Sequence, residues 1–154
     1  MTWAGHITTE HNTSLTLTYN FAISGSTVDN TIIAGFAPNI PSVTDQMATW
    51  MTNLKDHPDY APWNSENALF LVWVGINDVG NSFSQTGIQT TLVRDLDRLF
   101  EHVNALWNSG ARNFAFLNVP RTLASFPLVP CFHNSTLLTK FVCVYQATDT
   151  RPKI

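Results

Sequence analysis

Leu15, Leu17, Tyr19 and Phe21 alternate with Thr16, Thr18 and Asn20, which is the two-residue period of a β-strand over Leu15–Ala22. The small residues of Ile23-Ser24-Gly25-Ser26-Thr27 then read as a loop. Val43, Met47, Trp50, Met51 and Leu54 fall on one face of a helix over Val43–Leu54, with Ser42 as its cap and Asp45 in its first turn. Pro58 and Pro62 mark Lys55–Glu66 as a loop. Ala68–Val74 is an unbroken apolar run, the pattern of a strand buried on both faces of a parallel sheet. Ile88, Leu92, Leu96, Leu99, Val103 and Leu106 step by three or four along a helix over Ile88–Ser109, and Gly110 stops it. Asn113–Val119 is a further strand, ended by Pro120.

Strands and helices therefore alternate, which predicts an α/β domain built on a parallel sheet. Ligands of such sheets lie beyond the carboxyl ends of the strands. The loops at Gly25, Asn77 and Pro120 reach that rim. The most informative of them lies in Ala68–Gly80, ALFLVWVGINDVG, where the apolar run stops at Gly75 and Asn77, Asp78 and Gly80 follow. Two readings stand side by side. Asn, Asp and Gly favour turns for local reasons. An Asn amide held at a strand end also donates well to an oxyanion.

The chain has 154 residues with 44% hydrophobic composition, enough for one domain with its own core. Only 12% of residues are charged, the net charge is −3 and Lys and Arg form no cluster, which argues against a nucleic-acid partner. No apolar run approaches the about 20 residues of a membrane span, so no membrane partner is expected. Met1–Gly5 lacks the basic start and apolar stretch of a signal peptide, which leaves location open. Cys131 and Cys143 fit either one bridge or two thiols. Asn12-Thr13-Ser14 and Asn134-Ser135-Thr136 fit the glycosylation sequon, a common chance match in so Asn-, Ser- and Thr-rich a chain. No phosphate-binding glycine pattern follows a strand, and no His/Cys spacing marks a metal site; neither cofactor nor metal is expected. Among the tryptophans, Trp73 belongs to the buried run, and Trp50 and Trp107 lie on or near apolar helix faces. Trp63, in a loop, is the candidate for an exposed sugar-stacking ring and thus for substrate binding.

Three segments in order, NFAISGSTVDN (Asn20–Asn30), FLVWVGINDVG (Phe70–Gly80) and FLNVPRT (Phe116–Thr122), resemble the second, third and fourth conserved blocks of the SGNH, or GDSL-type, hydrolases. The likeness is strongest to the fungal acetylesterases of carbohydrate esterase family 16, which are mostly secreted. It covers roughly Trp3–Val129. It implies a three-layer α/β sandwich of flavodoxin-like type, here incomplete, with a partial hydrolase domain over residues 1–129 and a divergent tail over 130–154. It further implies that Gly25 supplies a backbone N–H, and Asn77 a side-chain amide, to an oxyanion hole. Gly75 matches the glycine that opens the third block and is taken with Trp63 as substrate-binding. Asp29 and Asp78 are read as residues that fix their loops through backbone hydrogen bonds. Ser24 sits beside Gly25, but nothing in its block supplies a base.

The sequence departs from the family at two blocks. It contains no Gly-Asp-Ser, the block that carries the nucleophile, and no aspartate is followed three residues later by a histidine. None of His6, His11, His57, His102 and His133 matches the family's base. A single proline, Pro120, stands where the family has two. The expectation is a truncated gene product with little or no esterase activity of its own. Its sheet should have an empty slot between the strand at Leu15–Ala22 and that at Ala68–Val74, with unpaired edges and doubtful stability. The apolar stretch Leu137–Tyr145 adds a strand whose place the sequence does not give. The alternative is a fragment or a non-catalytic carbohydrate-binding domain.

Overall fold

A computed structural model describes residues 3–10, 16–119, 139–140 and 144–148. The elements are α1 (Trp3–Glu10), β1 (Thr16–Asn20), α2 (Val43–Asn53), β2 (Ala68–Val72), α3 (Ile76–Ser82), α4 (Ile88–Asn108), β3 (Asn113–Asn118), β4 (Thr139–Lys140) and β5 (Val144–Thr148). The strands form one sheet in the order β1-β5-β2-β3-β4. β2 and β3 pair in parallel, and β1 and β2 both run antiparallel to β5. Thus β1, β2 and β3 point the same way, as the α/β pattern requires, while β4 and β5 run against them.

The slot between β1 and β2 is not empty. β5 fills it, with Thr16 opposite Thr148 and Asn20 opposite Val144 on one side, and Ala68 opposite Ala147 and Leu71 opposite Val144 on the other. The expected pair of bare strand edges is therefore overturned: β5 supplies backbone partners to both neighbours.

Ala68, Phe70 and Val72 share one face of β2 and are buried. Trp50 meets Phe70 edge-on at 5.8 Å, and Trp63 meets it at 5.6 Å and 82°. Such edge-to-face packing adds to area burial in holding the rings. Val43, Met47 and Leu54 from the α2 region and Leu99 and Leu106 from α4 complete this core, so α2 and α4 cover the same face of the sheet. Leu17 and Tyr19 of β1 face it too. Thr18, which points the opposite way, hydrogen-bonds through its hydroxyl to Thr8 of α1 at 2.6 Å. Helices thus lie on both sides of the sheet, giving three layers.

The capping of α2 follows the sequence reading. Ser42 is the N-cap, its hydroxyl accepts from the Asp45 N–H, and the Asp45 carboxylate accepts from the Ser42 N–H at 2.7 Å. At the far end of α4, Gly110 turns out of the helix at φ 107°. α1 and α3 are additions to the sequence reading. α3 occupies the segment read as a turn, with Gly75 at φ 111° as its N-cap. Among the described residues, no helix is long and apolar enough to cross a membrane.

Candidate active site

A cavity of about 270 Å³ opens beyond the carboxyl ends of β1 and β2. The residues after β1, from Ala22 to Ser26, form one wall; Trp73, Val74, Ile76 and Asn77 form another; Val43 and Gln46 of α2 close the floor. Among the described residues, no charged side chain lines it.

Gly25 and Asn77, 52 positions apart in the chain, meet in this cavity. Gly25 has φ 87°, and a Cβ there would come within 2.4 Å of Cε1 of Phe36 and 3.0 Å of Cδ1 of Ile40. Both the backbone conformation and the close approach of the following loop demand glycine. Among the described residues, no hydrogen bond uses the Gly25 N–H. Asn77 Nδ2 donates to the Ser26 carbonyl oxygen at 2.9 Å. An amide carries two N–H groups, so one orients the side chain and one remains to donate. The Ser26 hydroxyl lies 2.8 Å from Ile23 O and 2.7 Å from Pro41 O, and accepts from Gln46 Nε2 at 3.0 Å. The Gly25 turn is thereby held from α2 on one side and α3 on the other.

The two aspartates hold their loops as expected. Asp29 accepts from the N–H and hydroxyl of Thr31 at 2.8 and 2.7 Å. Burial pushes its carboxyl up, but the hydrogen bonds from Thr31 and Thr44 and the nearby Arg98 guanidinium, 3.1 Å away, outweigh this and hold it below the usual range. Asp78 accepts from the Val28 N–H at 2.8 Å, which joins α3 to the loop after Gly25. Sequence reasoning missed the partner of Asp78. Asp95 of α4 is 3% exposed and stands against the Asp78 carboxyl, itself 1% exposed. The available signal was an acidic residue lying on the apolar stripe of Leu92, Leu96 and Leu99.

One expected substrate contact, Trp63, is corrected. Trp63 is 2% exposed, wedged between Trp50, Phe70 and His57, with its indole N–H donating to Leu54 O at 2.6 Å. The loop that carries it folds back onto the core, so no ring face is open to a sugar, and the carbohydrate-binding alternative loses its best residue. Gly75 stands between the cavity-lining Val74 and Ile76, and its positive φ turns the chain from β2 into α3. Conversely, Trp73, read as core, is half-buried and lines the cavity, and Trp107 is exposed beneath the Arg112 guanidinium, 4.1 Å from its ring centroid.

Ser24 also lines the cavity. The described histidines are engaged elsewhere: His6 with Glu10, His57 with the Trp63 carbonyl, and His102 with the Thr44 hydroxyl at 2.9 Å. Burial and then Arg98 push the His102 ring below its usual pKa, so it is neutral at pH 7. His11, His133, Pro120, Cys131 and Cys143 lie outside the described residues.

Comparison with known proteins adds to this geometry. The family described as GDSL-like Lipase/Acylhydrolase matches residues 3–150. The chain is 42% identical over 120 residues to an acetylesterase of Thermothelomyces thermophilus, a match that covers 78% of this chain and 40% of that protein. It is 31% identical over 121 residues to an acetylesterase of Hypocrea jecorina, covering 71% of this chain and 33% of the relative. The chain thus spans less than half the length of either relative. No solved structure matches it.

Proposed function

Since the chain belongs to the GDSL-like lipase/acylhydrolase family, we propose that its cavity is the oxyanion-binding part of a serine-esterase site for acetyl esters of carbohydrates. The observation that carries this reading is the meeting of Gly25 and Asn77 in one cavity, the amide of Asn77 oriented by the residue next to Gly25. An ester carbonyl oxygen seated there accepts from the Gly25 N–H and the second Asn77 N–H. As negative charge grows on that oxygen, both donors strengthen, and a preformed pair needs no rearrangement to do so. The uncharged character of the described wall favours a neutral acyl group. The acetyl class is drawn from the names of the two relatives, and the sugar alcohol from the likeness of the three sequence blocks to the carbohydrate esterases.

The sequence holds neither Gly-Asp-Ser nor an Asp-x-x-His pair, so we expect the 154-residue chain to bind esters and hydrolyse them little. The test is a titration with phenyl acetate, followed at the Gly25 backbone and Asn77 side-chain amide resonances. Shifts at both, with hydrolysis close to that in buffer, are the expected result. Unmoved Gly25 and Asn77 signals overturn the oxyanion reading. Robust hydrolysis that disappears in Ser24→Ala overturns the expectation of low activity.

A further inference from the structure

We propose that Asp78 and Asp95 hold a single proton between them, and that this contact positions the oxyanion donors by fastening the Gly25 loop and α3 to α4. The proposal rests on the reading of Gly25 and Asn77 given above. Three segments converge on the pair. Asp78 stands in the first turn of α3, next to Asn77. Its Oδ1 accepts the Val28 N–H, three residues past Gly25. Asp95 comes from the buried side of α4, an element that contributes nothing to the cavity wall.

The protonation follows from what surrounds each oxygen. Asp78 Oδ2 and Asp95 Oδ1 are both buried and, among the described residues, accept no N–H or other donor. The two carboxyl groups stand against each other, close enough for each to act on the other. Two ionised carboxylates have no donor to offer, so a proton must lie between them. Burial pushes the Asp78 carboxyl up as well, but backbone N–H groups, that of Val28 foremost, oppose this and favour its anion. Among the described residues, Asp95 receives no such N–H. The proton therefore belongs on Asp95, whose carboxyl is pushed up to about 9 by burial first and by Asp78 second. The other charged groups here are Asp29, which acts on Asp95 with the same sign, and Arg98, one turn along α4. Arg98 is already paired with Asp29 and does not neutralise Asp95. His102, a further turn along, is neutral. A carboxylic acid bonded to a carboxylate holds its partner strongly. The same two groups repel once the proton is lost.

This arrangement makes Asp95 a positioning residue. It touches neither cavity nor substrate, and acts on Asn77 and Gly25 through Asp78 and Val28. In alkali the fastening should release, and the donors should lose their common reference.

The experiment is a pH titration of the full chain carrying ¹³C-labelled aspartate carboxyls and ¹⁵N-labelled amides, in the wild type and in Asp95→Asn. In the wild type, one aspartate carboxyl is expected to stay protonated through neutrality and to titrate near the about 9 given for Asp95. The Val28 N–H and Asn77 side-chain signals should move with it. Asp95→Asn supplies a permanent N–H donor to Asp78, so it should abolish that titration and keep both signals at their neutral-pH positions throughout. Asp95→Leu, which removes the donor, should displace them at every pH. The proposal is overturned if every aspartate is ionised at neutral pH. It is also overturned if the carboxyl titrates while Val28 and Asn77 do not respond. Failure of the oxyanion reading looks different: phenyl acetate leaves Gly25 and Asn77 unmoved although the shared-proton titration is intact. Should Asp95→Leu not fold, the wild type and Asp95→Asn decide the question between them.

Discussion

Asn77 Nδ2 lies 2.9 Å from the carbonyl oxygen of Ser26, and this one bond sets the direction of the side chain across a gap of 51 residues in sequence. It links the orientation of one proposed donor to the backbone that carries the other. Asn77→Ala leaves the carbonyl of buried Ser26 without its donor. The expected loss of stability is about 1 kcal/mol, read by urea denaturation. Asn77→Asp should be worse, because a carboxylate turned toward a carbonyl offers no proton. In both variants phenyl acetate should no longer shift the Gly25 amide.

Gly25→Ala combines two penalties. A non-glycine residue in the left-handed region is disfavoured by roughly 1–2 kcal/mol, and the new methyl meets the Phe36 ring. Phe36 is 73% exposed and has room to move. Phe36→Ala should therefore recover the steric part and leave the backbone part. A double-mutant cycle in thermal or urea unfolding measures the difference. Full recovery would show that φ 87° carries no strain for alanine at this position.

Trp63 is predicted to matter for stability and not for sugar. Trp63→Phe keeps most of the ring packing but leaves the Leu54 carbonyl without its 2.6 Å partner. Because that carbonyl still accepts the His57 N–H at 3.2 Å, the expected loss is about 1 kcal/mol, that of one hydrogen bond. Binding to insoluble polysaccharide, measured by pull-down at a temperature where the variant is folded, should not change.

The acidic groups give the stability curve opposite slopes on its two sides. Asp95 keeps its proton in the folded chain up to about 9, whereas the unfolded carboxyl loses it near 3.8. Stability from this group is therefore fully present below the unfolded value and is lost as pH rises toward the folded one. Asp29 is held below the usual range, so its contribution is present above the unfolded value and is lost as pH falls through the folded value. Melting temperatures from acid to alkali should show both limbs. Asp95→Asn should flatten the decline that runs from about 3.8 to about 9, and Asp29→Asn only the rise on the acid side of 3.8.

The larger elements were legible because each carries a repeated pattern. α4 repeats its apolar step along 21 residues, and α2 announces its start with Ser42 and Asp45. α3 was not legible, since seven residues with an internal glycine have little helical preference of their own. Its helix is held by Asp78 reaching Val28 and by Asn77 reaching Ser26, contacts that no local pattern encodes. The site was legible for a related reason. Gly25 and Asn77 sit in blocks resembling a known family, while Asp95 sits in none and reveals itself only as an acid among leucines. The exposed reading of Trp63 failed because a loop rich in proline and polar residues need not keep its aromatic ring outside. His57 and Leu54 draw that ring into the core. The place of β5 was out of reach because strand pairing between distant segments leaves no local periodicity.

The position of β5 has a consequence for how the chain acquires its structure. Thr16 pairs with Thr148, so β1 joins the sheet through the contacts of greatest sequence separation among the described strands. Such contacts require most of the chain to be available, and they slow folding relative to local ones. On a ribosome β1 and β2 would emerge well before the strand that lies between them. Until it arrives, two strand edges stay open to any other extended chain, the circumstance in which nascent proteins recruit chaperones or aggregate.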